Sequence, residues 1–204
     1  SGQVLSCPYE AAKARLVLRE MADQLSLELV EKRLVTDQLV LTVGYDIENL
    51  TRPEIRKVYK GPVTTDRYGR RVPKHAHGTW NLPRATSSSS ELLEAMAALY
   101  DKIVNPALLI RRMSLSACHV VNEKMAKERE QKETFEQLDL FTDYAKKEAK
   151  EKEEQKKRER ERRMQEALLT IKKKYGKNAV LRGMNFEEGA TAKERNGQIG
   201  GHQA

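Results

Sequence analysis

Aromatic residues make up only 5% of this 204-residue chain: one Trp, seven Tyr and three Phe. With 39% hydrophobic and 33% charged residues, so small an aromatic content supports one modest core and leaves part of the length solvated. Cysteine is equally scarce. Cys7 and Cys118 are the only two, too few for a disulfide framework, and they read as reduced thiols of a cytoplasmic protein. No apolar run approaches the roughly 20 residues of a spanning helix, so no membrane partner is expected. The first dozen residues lack the basic and apolar regions of a signal peptide.

The chain is also poor in the patterns that carry catalysis. His75, His77, His119 and His202 show no zinc-ligand spacing, so no metal site is expected. A phosphate-cradling glycine loop, a nucleophile elbow and a carboxylate pair for two magnesium ions are all missing. We expect no catalytic residue, no cofactor and no small-molecule substrate.

Periodic patterns fill residues 1–123. Ala14, Val17, Leu18, Met21, Leu25 and Leu29 recur at three- and four-residue spacings, which predicts an amphipathic helix over 9–32. Leu39, Leu41, Val43 and Tyr45 then alternate with Gln38, Val40, Thr42 and Gly44 as a half-buried strand. A short strand is predicted at 56–59 and a turn at 65–69. A further strand at 74–82 sets His75, His77, Thr79 and Asn81 on a polar face opposite Ala76, Gly78, Trp80 and Leu82. Pro83 is expected to end it. Ser88 with Glu91 forms a capping box for a helix carrying Leu92, Met96, Leu99 and Ile103. The last strand, 108–120, is read with Leu109, Met113, Leu115 and Ala117 dry, and with Ile110, Arg112, Ser114, Ser116 and Cys118 wet. The expected fold class is α+β: about four strands with two helices on one face, then a long charged helix and an irregular tail.

Residues 124–144 form a charged linker around an apolar island, Phe135 to Tyr144. Residues 145–176 read as a solvated helix, supported by the Glu148–Lys152, Glu153–Lys157, Glu154–Arg158 and Glu159–Arg163 pairs. Met164, Leu168, Ile171 and Tyr175 are its one apolar stripe. The Gly-rich terminus, 177–204, shows no period.

Two features suggest binding. Between Thr51 and Arg84 nine Lys and Arg face two acidic residues, most of the chain's net charge of +8. Lys60, Arg67, Arg70, Arg71, Lys74, His75, His77, Arg84, Ser88 and Arg112 are the candidate nucleic-acid-binding residues. They are cations and a helix start suited to phosphates rather than to base reading. Within the apolar island, Gln137, Leu138, Asp139, Leu140 and Phe141 have the make-up of a docking peptide, with apolar anchors and an amide that fixes register. The competing readings are a protein-interaction adaptor that binds through the stripe from Met164 to Tyr175, and an RNA-binding α+β module. The second is disfavoured because the polar strand face carries no aromatic residue.

Gly2-Gln3-Val4-Leu5, Val43-Gly44-Tyr45-Asp46, His75-Ala76-His77-Gly78-Thr79, the serine-led helix and Arg111-Arg112-Met113-Ser114-Leu115 together resemble the C-terminal part of bacterial Y-family translesion DNA polymerases of the UmuC/ImpB/MucB kind. Leu181 to Phe186 and Arg195 to His202 are similar to the same group. The resemblance implies that 1–123 is a little finger domain whose sheet grips primer-template duplex and whose helices face away. It also implies that Gln137 to Phe141 is a motif for the bacterial sliding clamp, with Leu140 and Phe141 in the clamp's pocket. A role in DNA repair and the SOS response, beside the bacterial nucleoid, follows from it. The magnesium ligands of such enzymes lie in a palm region with no counterpart in this sequence, so this chain is expected to be inactive alone.

Overall fold

The residues whose polarity alternates are the ones that pair into the sheet. In a computed structural model, which describes residues 1–136, 144–199 and 202–203 and the side chains of 1–130 and 152–197, the chain begins with strand β1 (Gly2–Tyr9) and helix α1 (Ala11–Glu31). Strand β2 (Leu34–Tyr45) and two short helices, α2 (Glu48–Thr51) and α3 (Pro53–Val58), follow. Next come a hairpin of β3 (Val63–Thr65) and β4 (Arg71–Pro73), strand β5 (Ala76–Thr86), helix α4 (Ser89–Ile103), and strands β6 (Ile110–Cys118) and β7 (Val121–Asn122). The C-terminal part adds α5 (Glu123–Glu136), α6 (Tyr144–Tyr175), a 3-10 turn at Gly183–Phe186, α7 (Ala192–Arg195), and the short pair β8 (Gln198–Ile199) and β9 (His202–Gln203).

The fold is α+β with a mostly antiparallel sheet. The main strands lie in the order β1-β6-β2-β5, and β7 pairs with the start of β2. Helices α1 and α4 cover one face. Leu18, Met21, Leu39, Leu41, Leu92, Met96, Leu99, Met113 and Leu115 are fully buried between them, each worth on the order of 1.5–3 kcal/mol of transfer free energy. Gly78 permits the close approach of α4, since a Cβ there would stand 2.9 Å from Leu99 and from Ile103.

Several expectations are corrected. The N-terminal residues form β1, so helix α1 starts at Ala11 rather than at 9. The short strand read at 56–59 is helix α3, which Pro53 opens at its first turn. Pro83 does not end β5. That strand is an edge and its register with β2 shifts between the Thr36–Thr86 and Gln38–Asn81 pairs, so no ladder hydrogen bond depends on the missing N–H. Ile110 is fully buried, not wet. Gly44 pairs with Arg112 but Tyr45 pairs with Ile110, and this bulge at Arg111 reverses the alternation along the end of β6.

The long helix forms over Tyr144–Tyr175, but its second half is docked rather than solvated. Gln165 is 1% exposed. Its Nε2 donates to Ser87 O at 3.0 Å and approaches Ser89 Oγ at 3.2 Å and Ser26 Oγ at 3.4 Å. Arg162 reaches Glu123 at 3.0 Å. Beyond α6 the chain wraps along α1. The buried carboxylate of Glu20 accepts from Asn185 Nδ2 at 2.8 Å, Thr191 N at 2.8 Å and Ala192 N at 3.0 Å. Asp23 pairs with Arg182 at 2.7 Å.

Candidate nucleic-acid interface

The face of the sheet opposite α1 and α4 is polar row by row. Register places His77, Thr42 and Ser114 side by side, then Thr79, Val40 and Ser116, then Asn81, Gln38 and Cys118. Two of these rows are fixed by side-chain hydrogen bonds. Thr42 Oγ1 and His77 Nδ1 share one of 2.9 Å, and Gln38 Nε2 donates to Asn81 Oδ1 at 2.9 Å. A surface of hydroxyls, amides and imidazoles with few carboxylates is one that phosphate oxygens can approach.

Arg112 supplies the charge at one end of that face. It stands opposite Gly44, where a Cβ would come within 2.8 Å of Arg112 Cγ and 3.1 Å of its Nε. The glycine therefore lets the arginine side chain lie across β2, toward the strand that carries His75 and His77. Lys74 and His75 are exposed just before β5 begins.

The β3–β4 hairpin carries the next group of cations, and one aspartate shapes its tip. Asp66 Oδ1 accepts from Tyr68 N and Arg70 N, each at 2.9 Å, and Oδ2 pairs with Arg70 at 2.7 Å. Those donors, the Arg70 backbone N–H foremost, hold the Asp66 carboxyl below the usual aspartate range. Gly69, with φ of 78°, closes the turn. Tyr68 is 65% exposed, with the guanidinium of Arg67 4.6 Å and that of Arg70 5.1 Å from its ring centre. Sequence reasoning did not single out Tyr68. The signal was an aromatic residue between Arg67 and Gly69-Arg70 in a turn.

The structure thus places Arg112, His75 and His77 on the polar sheet face, Lys74 exposed in the connection between β4 and β5, and Arg67, Arg70 and Arg71 on the hairpin. Lys60 is exposed in the loop that leads into it. Arg84 near the end of β5 and Ser88 at the N-cap of α4 are instead held by the protein's own side chains. Arg84 is paired with Glu91. Ser88 caps α4 by accepting from Glu91 N at 3.2 Å and donates to Glu161 of α6 at 2.7 Å. The same carboxylate takes Ser90 N at 2.8 Å and Ser90 Oγ at 3.0 Å. The helix start expected to receive a phosphate is filled by the protein's own Glu161.

Gln137, Leu138, Asp139, Leu140 and Phe141 lie outside the described residues. Their neighbours are α5 before and α6 after, and Glu123, the first residue of α5, pairs with Arg162 midway along α6. Among the described residues no group of three or more His, Cys, Asp or Glu gathers in a metal-binding arrangement. No described helix is long and apolar enough to cross a membrane.

Compared with known proteins, residues 6–140 match the model of the impB/mucB/samB family C-terminal domain. No curated protein matches the chain.

Proposed function

Because the chain belongs to the impB/mucB/samB family through its C-terminal domain, a domain of Y-family translesion DNA polymerases, we propose that its polar sheet face and basic hairpin hold the backbone of primer-template duplex without reading sequence. The observation that carries this reading is the common side taken by Arg112, lying over Gly44, and the exposed His75 and His77, while α1 and α4 occupy the other side. Duplex binding of this kind is governed by counterion release, so its affinity falls steeply with salt. The hydroxyls of Thr79, Ser114 and Ser116 fit phosphate and sugar contacts that set register without specifying bases.

The test is fluorescence anisotropy of primer-template duplexes of unrelated sequence, read across a salt series. Replacing Arg70, Arg71 and Lys74 together by Gln lowers the logarithmic salt slope by about 0.9 for each phosphate that is no longer neutralised. Arg70 is already paired with Asp66 at 2.7 Å, so the expected fall in slope lies between about 1.8 and about 2.7. It is equal for all sequences. An unchanged slope removes the hairpin from the interface.

We also propose that Gln137 to Phe141 docks on the bacterial sliding clamp. Supporting this are the apolar anchors Leu138, Leu140 and Phe141 in an otherwise charged segment. Two weak contacts, one to DNA and one to the clamp, then reinforce each other through effective concentration. The catalytic steps belong to a polymerase core outside this sequence.

A further inference from the structure

Helix α6 keeps an apolar stripe that its docking leaves uncovered. Met164 is 50%, Ile171 37% and Tyr175 67% exposed, and Leu168 is half-buried between them. These four follow the four-three-four spacing of a helix–helix seam. At 100° per residue the stripe lies about a quarter of a turn from Gln165, the residue that plants α6 on the domain. The stripe is thus presented on a helix already fixed in place, along its flank.

Charge selects what can sit there. Arg160, Arg163 and Lys174 border the stripe on its solvent side, and among the described residues none of the three meets a carboxylate. Lys174 instead lies over the Tyr175 ring at 5.2 Å. The neighbouring acids are turned elsewhere: Glu159, expected to pair with Arg163, accepts instead from Gln155 Nε2 at 3.3 Å. Glu161 is on Ser88 and Ser90, and Glu166 is on Arg33 and Arg162. A second copy of this helix would set cations against cations, which disfavours self-pairing.

We propose that this flank of α6 is a docking site for an acidic amphipathic helix of a partner protein. The partner's apolar residues pack against Met164, Leu168, Ile171 and Tyr175, and its carboxylates face Arg160, Arg163 and Lys174. The site is independent of the DNA reading, because it stands on α6 and not on the polar sheet face.

The experiment uses the whole chain and a fluorescein-labelled synthetic helix with leucine at its a and d positions and glutamate at e and g. A second probe carries lysine in place of the glutamates. The acidic helix is expected to bind, more weakly as salt rises, and the lysine helix at least tenfold less tightly. Ile171→Ser with Tyr175→Ser, both at exposed positions, should weaken the acidic helix at least tenfold while leaving the melting temperature and duplex affinity unchanged. Arg160→Glu, Arg163→Glu and Lys174→Glu together should reverse the preference between the two probes. The proposal fails if the acidic helix does not bind, if it binds the serine variant equally, or if sedimentation shows a dimer that the serine variant dissolves. It also fails if the serine changes lower duplex affinity instead, for the stripe would then be a nucleic-acid contact.

Discussion

Replacing Gln165 by Ala tests whether the C-terminal helix is held by specific polar contacts or merely rests on the domain. The Gln165 amide has two donor hydrogens for three neighbouring acceptors, Ser87 O at 3.0 Å, Ser89 Oγ at 3.2 Å and Ser26 Oγ at 3.4 Å. Ser26 and Ser89 keep each other, at 2.5 Å, when the amide is removed. The Ser87 carbonyl loses this partner. Two hydrogen bonds contribute about 0.5–1.5 kcal/mol each, and a stranded buried acceptor costs about 1–3 kcal/mol. Allowing for overlap between the two terms, docking of α6 should weaken by about 2–4 kcal/mol, roughly 30- to 700-fold. Native-state hydrogen exchange reads this directly. Amides of residues 161–175 should lose protection by that factor, while those of β2 and β6, behind the buried core of Leu39, Leu41, Met113 and Leu115, keep theirs. Unchanged protection in α6 would refute the assignment of Gln165 as its anchor. An equal loss throughout the molecule would show that α6 and the sheet open as one unit.

Gly44→Ala should displace the Arg112 side chain, whose Cγ lies 2.8 Å from the added Cβ. Clearing Cγ forces this exposed side chain out of its rotamer, at a cost of about 0.5–1.5 kcal/mol, so the melting temperature should fall modestly while the salt slope of duplex binding falls by about 0.9. A slope equal to that of the parent would exclude Arg112 from the interface. Leu140→Ala with Phe141→Ala should abolish clamp binding in a pull-down and leave duplex affinity unchanged; retention on the clamp would refute the docking motif. For Asp66, the depressed carboxyl stabilises the hairpin tip at every pH above the ordinary aspartate value of 3.8. That contribution disappears as pH falls through the lowered folded value. Acid titration followed by the Tyr68 ring protons should have its midpoint below 3.8, and a midpoint at or above it would show that the Arg70 and Tyr68 donors do not hold the carboxylate.

Much of the sheet and its helices could be read from local pattern. The stripe of Ala14, Val17, Leu18, Met21, Leu25 and Leu29 is buried against the core as the spacing requires; of the expected capping box only the Ser88 half forms, because Glu91 turns to Arg84 and Ser88 N donates to Thr86 Oγ1. Local pattern misled where a register change intervened. The bulge at Arg111 turns Ile110 inward, and the shift between Thr36 and Gln38 carries β5 past Pro83. Both depend on which strand lies alongside, and one strand's own alternation does not contain that information. At the site, the cations of the hairpin and of the sheet end were legible as composition. Their division into a face and a tip was not, nor was the removal of Arg84 and Ser88 into intramolecular contacts with Glu91 and Glu161.

The C-terminal third separates the two levels most clearly. Its sequence alone determined a long helix: residues 145–175 contain neither Gly nor Pro and carry i,i+4 pairs such as Glu153–Lys157, which forms at 3.1 Å. Where that helix goes was decided by tertiary structure. Gln165, Glu161 and Glu20 are polar residues without periodic meaning, and each becomes decisive only when a distant partner meets it. Ser87 lies 78 residues from Gln165 and Thr191 lies 171 from Glu20. A buried amide or carboxylate is stable only where its hydrogen bonds are completed, and completing them is what turns an aperiodic, Gly-rich terminus into a segment wrapped along α1.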